Sequence, residues 1–141
     1  MASRTAVSTP NAPKVGPFMS QAVISNGLVF SSGSLGLDPA TGEFVKGTVI
    51  DRANQALQNL DAVFAAAGTS LSKAVKVNIF LSSMDHLPQV NEAYAKFFTD
   101  DPKPASIPSY KKSMPLPWLT PVHRHGLASL ARFCLLVRNW R

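Results

Sequence analysis

The side chains of this sequence that could take part in chemistry are few, and most of them are neutral. Ser31, Ser32 and Gly33 follow an apolar run, and Asn91 lies in a later stretch with helical spacing. Hydroxyl and amide groups can hold a polar substrate or orient a water molecule, but residues 1–105 contain no obvious acid–base pair. The spacings of metal ligands, phosphate loops and nucleophile elbows do not occur. We therefore expect neither a metal nor a cofactor.

Histidine and cysteine add little to this set. His123 and His125 form a conceivable metal pair, but two histidines without cysteine or acidic partners are usually surface residues. Cys134 is the single cysteine, which excludes an internal disulfide and is typical of a reducing compartment. A small apolar role suits Cys134 better than a nucleophilic one.

A helix followed by a strand, between Thr48 and Ser83, forms the centre of the predicted fold. Apolar residues at i, i+3, i+4 and i+7 predict the helix, with Thr48 and Asp51 at its capped start. Alternation over Ala74–Ser82 predicts an interior strand. Its buried face is expected to carry Val75, Val77, Ile79 and Leu81. The helix stripe and this strand face must cover each other.

A hairpin is predicted ahead of this pair. Gln21–Ser25 and Leu28–Ser32 are strand candidates, and Asn26-Gly27 between them is a two-residue turn that accepts positive φ at both positions. Glu43–Val45 is a candidate for a short third strand.

A second helix is predicted after the long strand, over His86–Thr99, with Asp85 as its N-cap and Pro88 in its first turn. Hairpin, helix, strand and helix in this order predict an α+β domain, with a single sheet and two helices packed on one face.

The composition changes abruptly near Pro102. Residues 1–102 hold seven Lys/Arg and eight Asp/Glu, whereas residues 103–141 hold seven Lys/Arg and no acid. Six of the eleven prolines fall at or after Pro102. We therefore divide the chain into a flexible lead-in over residues 1–14, an α+β domain over residues 15–105 and a basic, proline-rich tail over residues 106–141.

The tail lacks a clean strand pattern, and its prolines argue against a central strand across most of it. Gly126–Trp140 has enough apolar density for a short basic amphipathic helix. The positive charge could contact nucleic acid, with Trp118 or Trp140 stacking on bases, but an unselected basic extension is the stronger reading. A helix at a membrane surface is weaker still, and no apolar run is long enough to cross a bilayer.

The motifs of residues 10–105 resemble those of the RidA/YjgF family, also called the RutC or L-PSP endoribonuclease family. They are GPFMSQAV, NGLVFSSGSLGLDPATGEFV, NQALQNLDAVFAAAGTSLSKAVKVNIFLSSM and VNEAYAKFF. The resemblance implies a chorismate-mutase-like fold, a homotrimer with ligand sites between subunits, and hydrolysis of enamines and imines to keto compounds and ammonia. Some members are described as ribonucleases or translation inhibitors.

Residue by residue, the resemblance implies a catalytic role for Ser32 and Asn91, with Phe18 and Gly33 against the substrate. Ser106 stands where the family has the arginine that holds the substrate carboxylate. The family's last strand also carries a glutamate that positions water, and this tail has no acid.

These departures predict impaired hydrolysis, and they leave open a non-catalytic module that binds small ligands or RNA. The composition after Ala105 also suggests a shifted reading frame or an altered last exon. We expect a cytoplasmic protein, or a mitochondrial one because the first 14 residues carry Arg4 and Lys14 and no acid.

Overall fold

The computed structural model describes residues 3–110 and 131–138, which form one sheet and two α-helices. The strands are β1 (Thr5–Val7), β2 (Ala22–Ser25), β3 (Leu28–Ser31), β4 (Ala74–Leu81), β5 (Ala105–Tyr110) and β6 (Ala131–Arg138). The helices are α1 (Val49–Ala66) and α2 (Leu87–Phe97). The sheet order is β1-β2-β3-β6-β4-β5, and among these described strands β4–β5 is the one parallel pair. The predicted α+β class is confirmed.

The β2–β3 hairpin forms as predicted. Ser25 pairs with Leu28, and the two residues between them have positive φ, 50° at Asn26 and 71° at Gly27. The third strand predicted at Glu43–Val45 does not form, since this segment contributes only an isolated bridge between Leu37 and Phe44.

Helix α1 begins with the predicted cap. The Thr48 hydroxyl accepts a hydrogen bond from the Asp51 N–H, and the Asp51 carboxylate accepts one from the Thr48 N–H at 2.7 Å. These reciprocal bonds satisfy backbone donors that have no partner within the helix. The apolar stripe of α1 is buried against the sheet, and its buried residues include Ala53, Ala56, Leu57, Leu60, Val63 and Phe64.

Strand β4 is interior, as predicted, because it pairs with β5 on one side and β6 on the other. The prediction that Val75 shares its buried face is wrong. The register with β6 shifts between Ala74 and Lys76, so Ala74 is buried whereas Val75 is 49% exposed. A bulge of this kind inserts one residue and reverses the side-chain alternation beyond it. From Val77 onward the predicted alternation holds.

Helix α2 starts after a single 3₁₀ turn, Met84–His86, and not at an Asp85 cap. Ser83 caps that turn by accepting a hydrogen bond from the Asp85 N–H, and its hydroxyl donates to the Asp85 carboxylate at 2.7 Å. The Asp85 carboxylate is therefore hydrogen-bonded within the 3₁₀ turn, and the residue that directly precedes α2 is His86. Pro88 lies in the first turn, as predicted.

The tail contains strands, which corrects the expectation that the last strands are missing or altered. β5 tolerates Pro108 because it is an edge strand that pairs only with β4, where a missing N–H costs little. β6 occupies Ala131–Arg138, so the helix predicted over Gly126–Trp140 is wrong for these residues. Trp118, Trp140 and the His123–His125 pair lie outside the described residues.

The lead-in over residues 1–14 was expected to be flexible, but part of it is ordered and packs on the sheet. Thr5–Val7 forms β1, the edge strand next to β2, with Val7 opposite Ala22. Val7 and Ala12 are both buried in the core. Across the described part of the chain, no helix combines the length and the apolar character that crossing a membrane requires.

Candidate functional site

Ser32 lies directly after β3 and is fixed to the segment that leads into β2. Its hydroxyl donates to the Ser20 carbonyl at 2.6 Å, and its N–H donates to the Gln21 carbonyl at 2.9 Å. Since the hydroxyl proton is used in this way, the oxygen can serve a ligand only as an acceptor. Gly33 follows immediately and adds no side chain that would block an approaching ligand.

Phe18 lies on the loop that Ser32 holds. A backbone hydrogen bond from Met19 to the Gly16 carbonyl closes a turn around it. The Phe18 side chain is 97% exposed, which is unusual for a large aromatic ring. We call Phe18, Ser32 and Gly33 the loop cluster.

The chain beyond Gly33 is held by a residue that the sequence prediction missed. Asn59 is 2% exposed, and its amide donates to the carbonyls of Leu35 at 3.1 Å and Leu37 at 2.8 Å. Its own oxygen accepts from Gln55 at 2.9 Å. The available signal was an amide among the apolar positions of α1, four residues before Val63.

The second group of side chains lies where α2 meets β5. The Tyr94 and Ser106 hydroxyl oxygens are 2.6 Å apart, and Ser106 also donates to the Pro104 carbonyl at 3.1 Å. A serine hydroxyl has one proton, and because we assign that proton to the Pro104 carbonyl, the proton between the two hydroxyls is assigned to Tyr94. Partial burial raises the pKa of Tyr94 above its ordinary value, and the Ser106 hydroxyl opposes that shift.

Asn91 is exposed on α2, three residues before Tyr94. Side chains three apart on a helix are neighbours on one side of it, so Asn91 lies on the same side of α2 as the tyrosine that contacts β5. We call Asn91, Tyr94 and Ser106 the helix cluster. Tyr94 is not singled out in the sequence, because nothing there pairs it with Ser106.

The two clusters do not meet within one subunit. Ser32 follows β3 and Ser106 lies in β5, and both β6 and β4 lie between these strands. Three interstrand spacings place the two serines about 14 Å apart or more. The predicted site residues thus form two groups, one at each side of the sheet's centre.

The region of the helix cluster carries a slight excess of negative charge. From Leu87 to Tyr110 the sequence holds three acids and two lysines. Lys96 is 3.8 Å from Glu92, and Lys103 is 3.0 Å from Asp101. Lys103 also donates to the carbonyls of Thr99 and Asp100. Both lysines of this segment therefore already face acidic or carbonyl oxygens.

The arrangement suits binding and orientation more than proton transfer. Both clusters consist of hydroxyl, amide and aromatic groups, and among the described residues no three His, Cys, Asp or Glu side chains group as metal ligands would. The sequence has no Asp or Glu after Asp101. A carboxylate at this site would have to come from the first 101 residues.

Residues 9–118 match the model of the family described as Endoribonuclease L-PSP. A 2-iminobutanoate/2-iminopropanoate deaminase of Dermatophagoides farinae is 41% identical over 106 residues, 74% of this chain and 81% of its own. The mitochondrial protein mmf1 of Schizosaccharomyces pombe is 40% identical over 82% of this chain and 69% of its own.

The structure supports the same relationship. The crystal structure of yeast Mmf1 aligns with a TM-score of 0.84 and 30% identity, covering 98% of this chain and all of the other. The match extends over nearly the whole fold, including the strands of the tail. The chain belongs to the Endoribonuclease L-PSP family, which is the RidA/YjgF or RutC family of the sequence resemblance.

Proposed function

We propose that this protein hydrolyses reactive imines and enamines to keto compounds and ammonia. Water adds its hydroxyl group to the imine carbon and its other proton to the nitrogen, and the C=N π bond is lost, giving a carbinolamine. The carbinolamine then passes its hydroxyl proton to the nitrogen, the C–N bond breaks as the C=O bond forms, and NH3 leaves. The Ser32–Gly33 strand end carries the proposal, in a chain 41% identical to a protein named for this reaction.

Ser32 is proposed to orient the water. Its proton is held by the Ser20 carbonyl, so the oxygen can accept a hydrogen bond from water and direct a water lone pair at the imine carbon. Asn91 is proposed to serve as the second polar group, with an amide that can donate and accept while the nitrogen gains protons. Phe18 and Gly33 would form the wall and the open side of the site.

We further propose that the complete site forms between subunits of a homotrimer. The two clusters lie about 14 Å apart or more across the sheet, too far to hold one small imine. A neighbouring copy that places its loop cluster against this helix cluster would close the gap. The 97% exposure of Phe18 supports this, because an interface would cover the ring.

Activity on amino-acid-derived imines is proposed to be weak. A substrate carboxylate binds best to the paired donors of an arginine, and Ser106 offers a neutral hydroxyl. Loss of about 3 kcal/mol of transition-state stabilisation lowers the rate roughly 100-fold. The absence of acids after Asp101 removes a further means of positioning water.

The test is ammonia release from a panel of imines generated in situ, including 2-iminobutanoate, with and without the protein. We expect acceleration of at least one imine, and Ser32→Ala should abolish it. Ser72→Ala is the matched control, since Ser72 is an exposed serine in the turn before β4. A panel in which the protein accelerates no imine would refute the proposal.

A binding role without catalysis is the second candidate, favoured by the acid-free segment after Asp101. Seven Lys/Arg between residues 103 and 141 could contact phosphates. RNA binding with a steep salt dependence and no imine hydrolysis would support this candidate over the first.

The cytoplasm is the proposed compartment. A mitochondrial location is the alternative, supported by the 40% identical relative named as mitochondrial. Fluorescence of the full chain tagged at its C-terminus distinguishes the two.

A further inference from the structure

We propose that the helix cluster selects imines that carry a neutral group, such as a carboxamide, where an amino-acid-derived imine carries a carboxylate. This inference rests on the proposed function for its catalytic part and names the substrate class of that site. The Tyr94–Ser106 hydroxyl pair carries the argument.

The hydroxyl protons of this pair are already committed. Ser106 donates to the Pro104 carbonyl, so we assign the proton between the two hydroxyls to Tyr94. A ligand therefore meets oxygen atoms whose lone pairs accept hydrogen bonds and that have no proton left to donate. A carboxylate has only acceptors, so it gains a bond here only by taking the Tyr94 proton away from Ser106. A carboxamide can donate its N–H to the lone pairs as they stand.

The surrounding charge also favours a neutral ligand over an anion. The segment from Leu87 to Tyr110 has a net charge of −1, and Lys103 already contacts Asp101 and two carbonyl oxygens. Lys96 lies beside Glu92. An anion gains little from lysines whose charges are already opposed, whereas a neutral amide has no ionic charge to be repelled.

The site is accessible enough to act as a binding surface. Ser106 is exposed at the sheet edge, and Tyr94 is half-buried with its ring 4.2 Å from that of Phe98. The contact with the Phe98 ring restrains the Tyr94 side chain, so a ligand meets a preorganised acceptor and does not have to order it.

Binding of stable keto analogues to the full chain tests the selectivity directly. The probes are 2-oxobutanamide and 2-oxobutanoate, which share the carbon skeleton and differ in the neutral or charged group. We expect the amide to bind roughly tenfold more tightly, as expected when one compound makes a hydrogen bond that the other cannot. Equal affinities, tighter binding of the acid, or binding of neither compound would overturn the proposal.

Three variants assign the effect to the hydroxyl pair. Ser106→Arg supplies paired cationic donors and should reverse the preference in favour of the acid. Tyr94→Phe removes the acceptor and should lower amide affinity severalfold with little change for the acid. Ser109→Ala is the control, because Ser109 lies on the same strand three residues on and faces the other side of the sheet, opposite Phe80. A Ser106→Arg protein that is folded by circular dichroism but still prefers the amide would contradict the assignment.

Ammonia release separates this inference from the function on which it rests. The imines of alaninamide and alanine, generated in situ, are compared with and without the protein. Tighter amide binding without hydrolysis of either imine would leave the selectivity standing and refute catalysis. Hydrolysis of both with preference for the acid would leave catalysis standing and refute the selectivity.

Discussion

The side chain of Gln21 and the backbone of Thr9 exchange two hydrogen bonds within the core. The Thr9 N–H donates to Gln21 Oε1 at 2.6 Å, and Gln21 Nε2 donates to the Thr9 carbonyl at 3.0 Å. The same amide nitrogen lies 3.2 Å from the Ala12 carbonyl and 3.0 Å from the Pro13 carbonyl. One side chain thus fastens residues 9–13 to the start of β2, beside the loop that carries Phe18.

Replacing this residue, in Gln21→Ala, should destabilise the fold and release the first strand. Gln21 is 7% exposed, and each buried partner left without a hydrogen bond costs about 1–3 kcal/mol. We expect a loss of roughly 3 kcal/mol in urea unfolding and faster amide exchange over residues 5–13. Gln89→Ala, an exposed glutamine on α2, should change neither quantity. Unchanged amide exchange at residues 5–13 in Gln21→Ala would contradict this role of the Gln21 side chain.

Gly36→Ala should disturb the segment that Asn59 holds. A Cβ at this position would lie 2.5 Å from the Arg52 carbonyl oxygen and 2.7 Å from the Arg52 Cα. These are backbone atoms of α1 and cannot rotate away, so the segment must shift. We expect a lower urea midpoint and weaker ammonia release, because the shift acts next to Gly33.

The control for this prediction is Gly16→Ala, where a Cβ would meet nothing within 4 Å. Gly16→Ala should keep the wild-type stability. Equal stability of the two alanine variants would show that the contact between Gly36 and α1 relaxes without cost.

The cap of α1 should make stability depend on pH in acid. Hydrogen bonds from the Thr48 N–H and hydroxyl hold the pKa of Asp51 below its ordinary value. The stabilisation is complete above the unfolded-state pKa of about 3.9, and it is lost as the pH falls through the lower folded-state pKa. Asp51→Asn should therefore be less stable than the wild type at pH 7 and equally stable at the acid end.

Urea unfolding at pH 7, 5, 4 and 3 measures this difference. Glu43→Gln serves as the control, since Glu43 is an exposed carboxylate in the turn before α1. Its stability should follow the wild type at each pH. A gap between Asp51→Asn and wild type that widens toward pH 3 would have the wrong sign for this mechanism.

Self-association should depend on the sheet face that the helices leave uncovered. Phe30 is 47% exposed, Phe80 44% and Ile107 50% on this face. A carboxylate in an apolar interface carries a large desolvation cost, so Phe80→Asp should shift the protein from oligomer to monomer in light scattering. Met84→Asp, at a similarly exposed residue in the turn before α2, should leave the oligomer intact. A wild-type monomer at high concentration would refute the homotrimer itself.

The helix–strand centre and the hairpin were predictable because their signals are local. Asn26-Gly27 favours a two-residue turn with positive φ at both positions, and the stripe of α1 repeats over five turns. The bulge at Val75 was not predictable, since it arises from pairing with β6, which lies more than fifty residues away in sequence. The tail was misread because proline excludes a central strand but not an edge strand, and edge position depends on the tertiary fold.

The candidate site was predictable only in part, for a similar reason. Ser32, Asn91 and Phe18 lie in motifs that survive in the sequence, whereas Tyr94 and Asn59 act through distant partners. Tyr94 contacts Ser106 only once α2 has packed beside β5, and Asn59 contacts the carbonyls of residues more than twenty positions earlier. Hydrogen bonds between distant segments leave no periodic pattern in the sequence.

The position of β6 constrains the order in which this protein can fold during synthesis. Within the sheet, β3 pairs with β6 and β6 with β4, so the β1–β3 half has no direct pairing with the β4–β5 half. A ribosome must therefore deliver residues 131–138 before the two halves can join. Until then both halves expose unpaired strand edges of the kind that invite aggregation. Chains whose synthesis stops before Ala131 would keep those edges open and become substrates for chaperones and proteases.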